Sequence, residues 1–302
     1  MIKHHHPTPV NPKRVVILGS AGFIARDLAR YLDELGIDNL PVGSEQINLI
    51  NPESVEQLGR LIQPDDALVI SSALTPEKGK DVHTFMKNLL MINHVAAFFE
   101  NARCRQVVYL SSDAVCDEQA SLLSEATPRS PANLYGLMHV AREQMLQFVL
   151  GNRQVPLCIV RPCAIYGARD THNSYGPNRF FRTALKDRKI LLFGQGEERR
   201  DHIYIHDVTR FLSLCLQHAS QGAVNLASGQ TISFHDLAQW IVKLCPHPVP
   251  IECLPRSTPI THRHFDVSLR LREFPRFACT SLETGLAETG QELLSEANDC
   301  FF

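Results

Sequence analysis

Short apolar runs alternate with stretches of helical periodicity through the first half of the chain. Runs such as Ala67–Ser71 lack the polar alternation of a half-exposed strand, which is typical of strands buried on both faces of a parallel sheet. Between the runs, apolar residues recur at helical spacing, as at Leu28, Leu32 and Leu35. The predicted strands are 14–18, 39–44, 67–71, 107–112 and 155–160, and the predicted helices include 51–62, 82–102 and 131–150. This alternation predicts an α/β fold built on a doubly wound parallel sheet.

The alternation breaks down after Arg161, where loops rich in glycine and proline interrupt it. Two later segments, Ser233-x-x-Asp236 and Thr280-x-x-Glu283, resemble the capping boxes that open helices. We therefore predict a smaller, mixed C-terminal lobe that binds substrate. The predicted division is a flexible tail over 1–12, a sheet domain over 13–168 to which 201–228 returns, and the substrate lobe over 169–302.

Composition narrows the class of protein. The 302 residues are 44% hydrophobic, and the formal charge of −2 shows no basic excess for nucleic acid or an anionic membrane. No apolar run reaches the roughly 20 residues that span a bilayer, and the polar start lacks the apolar core of a signal peptide. Nine scattered cysteines fit a reducing compartment, so the expected location is cytoplasmic. His4–His6 are weak evidence for metal binding, and we predict no metal site.

A glycine-containing turn joins the first predicted strand to the first helix, with the spacing Gly-x-x-Gly-x-x-Ala. Such a turn brings backbone N–H groups and the positive end of a helix to a pyrophosphate, although a glycine pair also occurs in ordinary tight turns. The strand before it and the helix after it favour a dinucleotide, NAD or NADP. The residues expected to contact this cofactor are Gly19, Ala21, Gly22, Phe23, Ile24, Ser44 and Ser71.

The choice between NAD and NADP stays open. In NAD enzymes an acidic residue at the end of the second strand often holds the ribose hydroxyls. Ser44 is nearest to that position and Glu45 follows it, and neither residue decides the choice.

Another pair of candidate residues lies on one predicted helix face. Ser130 is predicted as the N-cap and Pro131 as the first helical residue. Tyr135 and His139 then lie four residues apart on the same face. The strand ending at Ser112 and the helix carrying Tyr135 bring two hydroxyls to one substrate. The alternative is a turn serine and a core tyrosine.

Four candidate positions share one edge of the predicted sheet. Gly19, Ser71, Ser112 and Arg161 each follow or end a strand. Because ligands bind such sheets beyond the carboxyl ends of the strands, this shared position favours one common site over four unrelated turns.

Several motifs in order resemble the extended short-chain dehydrogenase/reductase family, from Arg14 to Thr289. They are Gly19-x-x-Gly22-x-x-Ala25, Ser111-Ser112-Asp113-Ala114-Val115, Tyr135-x-x-x-His139, Arg161-Pro162-x-x-x-Tyr166-Gly167, Arg200-Asp201-His202-Ile203-Tyr204-Ile205-x-Asp207-Val208 and the turn Asn225–Gly229. Members of that family include NAD(P)-dependent nucleotide-sugar epimerases, dehydratases and reductases. The resemblance implies a Rossmann-type sheet and an enzyme of this kind.

The resemblance also implies a role for each matched residue. Ser112 would hold the reacting oxygen, and Tyr135 would be the acid/base that moves the hydroxyl proton while hydride passes to or from nicotinamide. Arg200 matches an arginine that contacts the substrate diphosphate, since a guanidinium binds phosphate through two parallel hydrogen bonds. A surface ion pair with Glu197 is the alternative for Arg200. Asn178 is a further candidate substrate contact.

His139 departs from the family pattern, which has lysine at this position. That lysine lowers the pKa of the tyrosine and hydrogen-bonds the nicotinamide ribose. Histidine has an ordinary pKa near 6.5 and is mostly neutral at pH 7, so His139 would hold the ribose yet support Tyr135 less. If protonated His139 supports a tyrosinate, activity changes near the histidine pKa, and a flat profile from about pH 5.5 to 8 contradicts that role.

A second departure narrows the reaction. The family's dehydratases place Asp-Glu after the serine or threonine, whereas Asp113 is followed here by Ala114, which cannot act as a base at a sugar carbon. An epimerase or a ketone reductase is therefore favoured over a dehydratase. Asp113 is either a turn residue or catalytic. Cys116 and Cys163 lie near the predicted site and are expected to pack rather than react.

Three functional hypotheses follow. The favoured one is an NAD(P)-dependent epimerase or oxidoreductase acting on a hydroxyl or keto group of a nucleotide-activated sugar. The alternatives are a reductase of a non-sugar ketone and, because of His139, a dinucleotide-binding protein with weak or no catalysis. Many relatives dimerise through two long helices, so a homodimer through 82–102 and 131–150 is expected. The sugar, the nucleotide and the direction of hydride transfer stay undetermined.

Overall fold

The computed structural model describes residues 1–299 as a seven-stranded sheet, helices on both of its faces and a smaller lobe. The strands are β1 (Lys3–His4), β2 (Val15–Leu18), β3 (Asn39–Val42), β4 (Ala67–Ile70), β5 (Gln106–Leu110), β6 (Leu122–Leu123), β7 (Leu157–Pro162), β8 (Ala164–Tyr166), β9 (Ile190–Phe193), β10 (Arg199–Tyr204), β11 (Ser220–Leu226), β12 (Thr231–Ser233), β13 (Ile251–Leu254) and β14 (His264–Phe265). The helices are α1 (Phe23–Glu34), α2 (Ser54–Leu61), α3 (Val82–Asn101), α4 (Leu134–Arg153), α5 (Pro177–Lys186), α6 (Ile205–Gln217), α7 (Phe234–Leu244), α8 (Ser268–Glu273) and α9 (Leu282–Asp299). None of these helices is long and apolar enough to cross a membrane.

The large sheet has the strand order β1-β11-β7-β5-β4-β2-β3. Every neighbouring pair is parallel except the edge pair of β1 with β11. The chain places β3 on one side of β2 and then crosses to β4 on the other side, so the strand order reverses beside β2. This arrangement confirms the doubly wound parallel sheet, and the reversal marks the edge where such sheets bind ligands.

The sheet separates two apolar cores because successive side chains of a strand point to opposite faces. Ile17 of β2 packs in the core that contains Leu28 of α1 and Phe211 of α6. Its neighbour Leu18 packs in the other core, with Phe99 of α3. The unbroken apolar run of β2 is therefore buried on both sides.

The lobe has an apolar core of its own. Phe180 of α5, Leu237 of α7 and Leu286 of α9 are completely buried in it. Three small sheets complete the fold: β12-β10-β8, β13-β9 and β14-β6. Between these elements the chain returns to the large sheet through α6, which packs on α1, and β11, which pairs with β7.

The start of the chain differs from the predicted flexible tail. Lys3–His4 pairs with β11 as the antiparallel edge strand. Both ring nitrogens of His4 have partners, since Nδ1 lies 2.9 Å from Ser220 Oγ and Nε2 lies 3.0 Å from the backbone oxygen of Glu273. Polar side chains therefore anchor a segment whose apolar content is too low to predict a strand.

The helix that carries Tyr135 begins later than predicted. Asn133, and not Ser130, is the N-cap of α4, because Asn133 Oδ1 accepts the Gly136 N–H at 2.9 Å. Pro131 thus precedes the helix instead of opening it.

The two predicted capping boxes have different outcomes. Ser233 caps α7 as predicted, with its Oγ accepting the Asp236 N–H at 3.0 Å. Thr280 does not cap α9, because its N–H and hydroxyl both bind the carboxylate of Asp207 at 2.8 Å. A long-range partner thus replaces the local cap.

Candidate active site

The glycine turn lies at the carboxyl end of β2. Gly19 has a φ of +100°, and a Cβ at this position would lie 2.8 Å from backbone atoms of Ser72, so only glycine fits. Gly22 is the N-cap of α1, and the first turn of the helix contains no acidic residue and no side-chain cap. The N–H groups of that turn have no intrahelical acceptors, and this helix end suits an anionic ligand.

A cleft of about 650 Å³ extends from the glycine turn along the carboxyl ends of the strands. Its volume lies within the range of roughly 300–1,000 Å³ that is usual for small-ligand sites. The structure brings into this cleft the predicted cofactor and catalytic residues Gly19, Ala21, Gly22, Phe23, Ile24, Ser44, Ser71, Ser112, Tyr135 and His139.

The turn that carries Ser112 packs against the start of α4. Ser112 Oγ accepts the Ala114 N–H at 3.1 Å and so caps the short 3₁₀ turn over 113–115. A Cβ on Gly136 would clash with the carbonyl of Ala114, so this glycine allows the turn and the helix to meet. This contact brings the turn that carries Ser112 against the first turn of α4, which carries Tyr135.

Tyr135 is protonated at neutral pH. Loss of hydration, followed by the negative charges of Asp113 and Glu77, raises the pKa of its hydroxyl to about 12. The hydrogen bond with Ser112 and the charge of Arg142 oppose this rise and are smaller. The phenol is therefore poised as a proton donor.

A cluster of paired charges lies beside Ser112. The Ser112 hydroxyl lies 3.3 Å from Asp113 Oδ1, and Arg263 Nε lies 3.3 Å from Asp113 Oδ2. Burial raises the pKa of the Asp113 carboxyl, while Arg263 and Arg200 act to lower it. Sequence reasoning missed Arg263, which is 150 residues from Asp113 along the chain and belongs to no recognisable motif.

His139 is buried and neutral. Its Nδ1 lies 2.7 Å from the Tyr109 hydroxyl, and its ring packs edge-on against Tyr135 with 4.7 Å between centroids. Burial, and then the charge of Arg142, lower the pKa of the ring well below its ordinary value. Among the side chains of residues 1–295 and the described backbone, Nε2 has no hydrogen-bond partner. At neutral pH the structure thus offers no protonated His139 to support a tyrosinate.

Arg161 and Asn178 lie outside the cleft. Arg161 binds the Glu143 carboxylate through Nε at 2.8 Å and Nη2 at 2.7 Å, and both side chains are completely or almost completely buried. The prediction that Arg161 shares the common site is therefore wrong, because its side chain leaves the sheet edge for an ion pair with α4. The Asn178 amide binds the Gly167 N–H at 3.0 Å and Asp170 at 2.8 Å, so it fastens a turn in the lobe.

Arg200 lies on β10, near the Ser112 end of the cleft but outside its lining. Its guanidinium binds the backbone oxygen of Thr261 and lies 3.7 Å from Glu198. The partner considered from sequence, Glu197, binds Arg256 instead. A diphosphate contact for Arg200 stays a prediction.

Two loops that line the cleft are joined by a side-chain bridge. Glu77, in the loop after β4, hydrogen-bonds the ring of His172, in the loop after β8. The Thr75 hydroxyl hydrogen-bonds the Glu77 carboxylate and lies 3.4 Å from the His172 ring. No motif predicted this bridge, because its partners are 95 residues apart.

Cys116 and Cys163 are both buried, and Cys163 lies in the lining of the cleft. Burial raises the pKa of each thiol above its ordinary value. Thiolate, the reactive form of cysteine, is therefore suppressed at both positions.

A glycine turn at a helix N-terminus and a cleft at the switch point of a parallel sheet define a Rossmann-type, dinucleotide-binding class of protein. Residues 15–227 match the NAD dependent epimerase/dehydratase family, and the chain belongs to that family. This match confirms the resemblance that the ordered motifs indicate.

Solved structures share this fold over nearly the whole chain. The UDP-glucose 4-epimerase of Thermus thermophilus, solved with NAD, has a TM-score of 0.81 and 17% identity, covering 93% of this chain and 99% of its own. The GDP-L-fucose synthetase of Naegleria fowleri, bound to NADP, has a TM-score of 0.84 and 16% identity, covering 98% and 97%. The UDP-N-acetylglucosamine 4-epimerase of Methanobrevibacter ruminantium, in complex with UDP-N-acetylmuramic acid, has a TM-score of 0.81 and 20% identity, covering 95% and 100%.

Proposed function

We propose that this protein is an NAD(P)-dependent epimerase or reductase that acts on a hydroxyl or keto group of a nucleotide-activated sugar. The observation that carries the proposal is the position of Ser112 and Tyr135 in the same cleft as the glycine turn. Family membership supports it, as do the similar structures that contain NAD, NADP or a UDP-sugar.

The residues of the cleft fit a nicotinamide dinucleotide. The turn from Gly19 to Gly22 and the start of α1 would hold the pyrophosphate. Nε2 of His139 is a buried polar atom without a partner in the described part of the chain, and it suits a ribose hydroxyl. Once bound, the dinucleotide supplies the hydride donor or acceptor. Near Ser44 the cleft lining contains neither an acidic residue nor an arginine, so the choice of NAD or NADP is left to measurement.

Tyr135 would move the proton, and Ser112 would hold the reacting oxygen. In the reductive direction, the Tyr135 hydroxyl gives its proton to the substrate oxygen while hydride adds to the carbonyl carbon. In the oxidative direction, ionised Tyr135 takes the hydroxyl proton while hydride leaves the same carbon. The pKa of about 12 favours the protonated form of Tyr135, which is the form that the reductive direction uses. An epimerase performs both directions in turn.

The charge of the substrate distinguishes the proposed nucleotide-sugar enzyme from a reductase of a neutral ketone. Arg263 pairs with Asp113 at the end of the cleft where Ser112 lies, and Arg200 lies 3.7 Å from Glu198, so each arginine has a carboxylate partner. The phosphates of a nucleotide-activated substrate can compete with these carboxylates for the two guanidinium groups, which a neutral ketone cannot do. We therefore rank a reductase of a non-sugar ketone second and a dinucleotide-binding protein without catalysis third.

Native mass spectrometry of the freshly purified protein is the first test, because it detects retained NAD(H), NADP(H) or nucleotide sugar. Incubation with UDP- and GDP-sugars and each cofactor, followed by NMR of the sugar, then tests turnover. We expect conversion of at least one nucleotide sugar. Dinucleotide binding with no conversion of any sugar would support the non-catalytic alternative, and conversion of simple ketones alone would support the second.

The variant Tyr135→Phe tests the assigned chemistry. We expect kcat to fall by about 10²–10⁴, the usual contribution of a general acid or base, with little change in dinucleotide affinity. Tyr31→Phe is a matched control, since residue 31 lies on α1 and does not line the cleft. Full activity of Tyr135→Phe would remove Tyr135 from the mechanism.

We also propose a homodimer through the outer faces of α3 and α4, with a second copy as the occupant. Adjacent helices expose large apolar side chains there, with Val82 64% and Phe148 74% exposed. Such a surface fits an interface between copies. Sedimentation velocity should show a dimer that Phe148→Glu converts to monomer. A wild-type monomer at micromolar concentration would contradict this proposal.

A further inference from the structure

A buried polar cluster lies directly behind Tyr135. It consists of His139 and Arg142 of α4 and Tyr109 of β5, all at most 1% exposed. We propose that Tyr109 and Arg142 are positioning residues that fix His139 as a neutral donor, with its proton on Nε2 and available to the nicotinamide ribose. This inference rests on the proposed function.

The hydrogen bonds available to His139 favour one tautomer of its ring. Where side chains are described, over residues 1–295, the only hydrogen-bond partner of the Tyr109 hydroxyl is His139 Nδ1, at 2.7 Å. If Nδ1 carried the proton, the Tyr109 O–H and the lone pair of Nε2 would both be buried without partners. If Tyr109 donates to Nδ1, the only unpaired group is the Nε2–H. Buried polar groups are rarely left unpaired, so the second arrangement is favoured.

Burial, and then the charge of Arg142, keep the His139 ring from accepting a second proton. Its guanidinium lies over the Tyr109 ring, with 5.3 Å between the guanidinium carbon and the ring centroid. It forms no ion pair with any carboxylate in the described part of the chain, so its positive charge is not neutralised. That charge opposes an imidazolium at His139 and favours an ionised Tyr135. Near Tyr135, the hydrogen-bond donor therefore comes from His139 and the positive charge from Arg142.

Arg142 also connects this cluster to the glycine turn. Its Nη2 donates to the backbone oxygen of Ser72 at 2.8 Å. Ser72 is the residue whose backbone would meet a side chain at position 19. The Arg142 guanidinium therefore acts at two separate parts of the cofactor cleft. It holds the backbone at Ser72, next to Gly19, and it influences the protonation of His139.

The test is ¹⁵N NMR of the full-length protein labelled at histidine, with the His139 signal assigned from the variant His139→Gln. The charged or titratable groups that act on His139 are Tyr109, Tyr135 and Arg142. We expect a neutral ring protonated at Nε2 throughout pH 5.5–8, and a shift of the Nε2 signal when the preferred dinucleotide is added. A proton on Nδ1, or titration of the wild-type ring near pH 6.5, would overturn the proposal.

Variants separate the two positioning residues. Tyr109→Phe removes the donor to Nδ1 with almost no change in shape, so we expect a mixture of tautomers and three- to tenfold weaker dinucleotide binding. Arg142→Met should raise the pH at which His139 gains a second proton, and Arg142→Lys should restore the wild-type behaviour in part. Arg153→Met, at the far end of α4, is the matched control. An unchanged tautomer in Tyr109→Phe contradicts the role of Tyr109 even if Arg142→Met does not fold.

The outcomes also separate this inference from the proposed function. If wild-type protein binds no dinucleotide in a fluorescence titration, the proposed function fails whichever tautomer NMR finds. If it binds and Nδ1 carries the proton, only the present inference fails.

Discussion

Two adjacent residues of α4, Arg142 and Glu143, are both completely buried, yet their surroundings are opposite. Glu143 is fully paired: its carboxylate accepts hydrogen bonds from Ser111 at 2.6 Å, from Arg161 at 2.8 and 2.7 Å and from Arg129 at 3.1 Å. Its neighbour Arg142 has no carboxylate partner among the side chains that the structure describes, those of residues 1–295.

This contrast separates structural from functional charge. A buried charge with several good partners is stabilised, whereas an unpaired one costs free energy that the rest of the fold must offset. The hydrogen bonds of Glu143 attach α4 to β7 and to Ser111, the residue after β5. On the Arg142 side, the guanidinium of Arg142 and Nε2 of His139 lack full partners beside the cleft. Proteins typically leave buried polar groups unpaired in this way where they bind a ligand.

Removing the paired charge should have the largest effect on stability. We expect Glu143→Ala to lower the free energy of unfolding by about 3–5 kcal/mol, because Arg161 is left buried and unpaired. Arg142→Met should cost only about 1–2 kcal/mol, mainly for the lost bond to the Ser72 oxygen. Urea unfolding measures both, with the exposed Glu100→Ala as the control. A larger loss for Arg142→Met than for Glu143→Ala would break the comparison.

His202 extends the comparison to the lobe. It is 5% exposed, and neither ring nitrogen has a partner in the described chain. Burial, and then Arg200, lower the pKa of its ring to about 3. Since the unfolded histidine gains a proton below about pH 6.5 and the folded one does not, this residue makes the protein less stable as the pH falls from 6.5.

The variant His202→Phe should therefore stabilise the protein by about 1–3 kcal/mol at neutral pH, because two unpaired polar atoms disappear. The acid-induced loss of stability between pH 6.5 and 5 should also shrink, by up to about 1.4 kcal/mol per pH unit. Chemical unfolding at several pH values measures both effects, and the exposed His83→Phe is the control. A destabilised variant with an unchanged pH slope would show that His202 is paired and titrates normally.

Local patterns in the sequence were sufficient to predict the strands of the large sheet and half of the candidate active site. The buried strands are continuous apolar runs, and the glycine turn, Ser112 and Tyr135 belong to short motifs whose spacing places them at one edge. The same patterns were misleading where a side chain finds a distant partner. Arg161 stands at a strand end like the site residues, but Glu143 draws it away; likewise, Asp207 occupies the groups with which Thr280 would have capped α9.

The positioning residues were beyond the reach of sequence reasoning for a related reason. Tyr109 reads as one more apolar residue of a buried strand, and Arg142 as a polar residue of a helix. Their meaning depends on a hydrogen bond across 30 positions and on a backbone oxygen across 70. Such contacts are fixed by the packing of α4 on the sheet, which no spacing rule describes.

The bridge between Glu77 and His172 should give the smallest effect, because both side chains are about one-third exposed. Pairs in such surroundings contribute roughly 0–1 kcal/mol, so His172→Ala should leave the free energy of unfolding nearly unchanged. The bridge joins two loops that line the cleft, and its loss should speed dinucleotide release about two- to fivefold, in line with that energy. Stopped-flow displacement measures the release rate, with His83→Ala as the control. An unchanged release rate would mean that the Glu77–His172 pair, like Glu143 in the core, serves only to stabilise the fold.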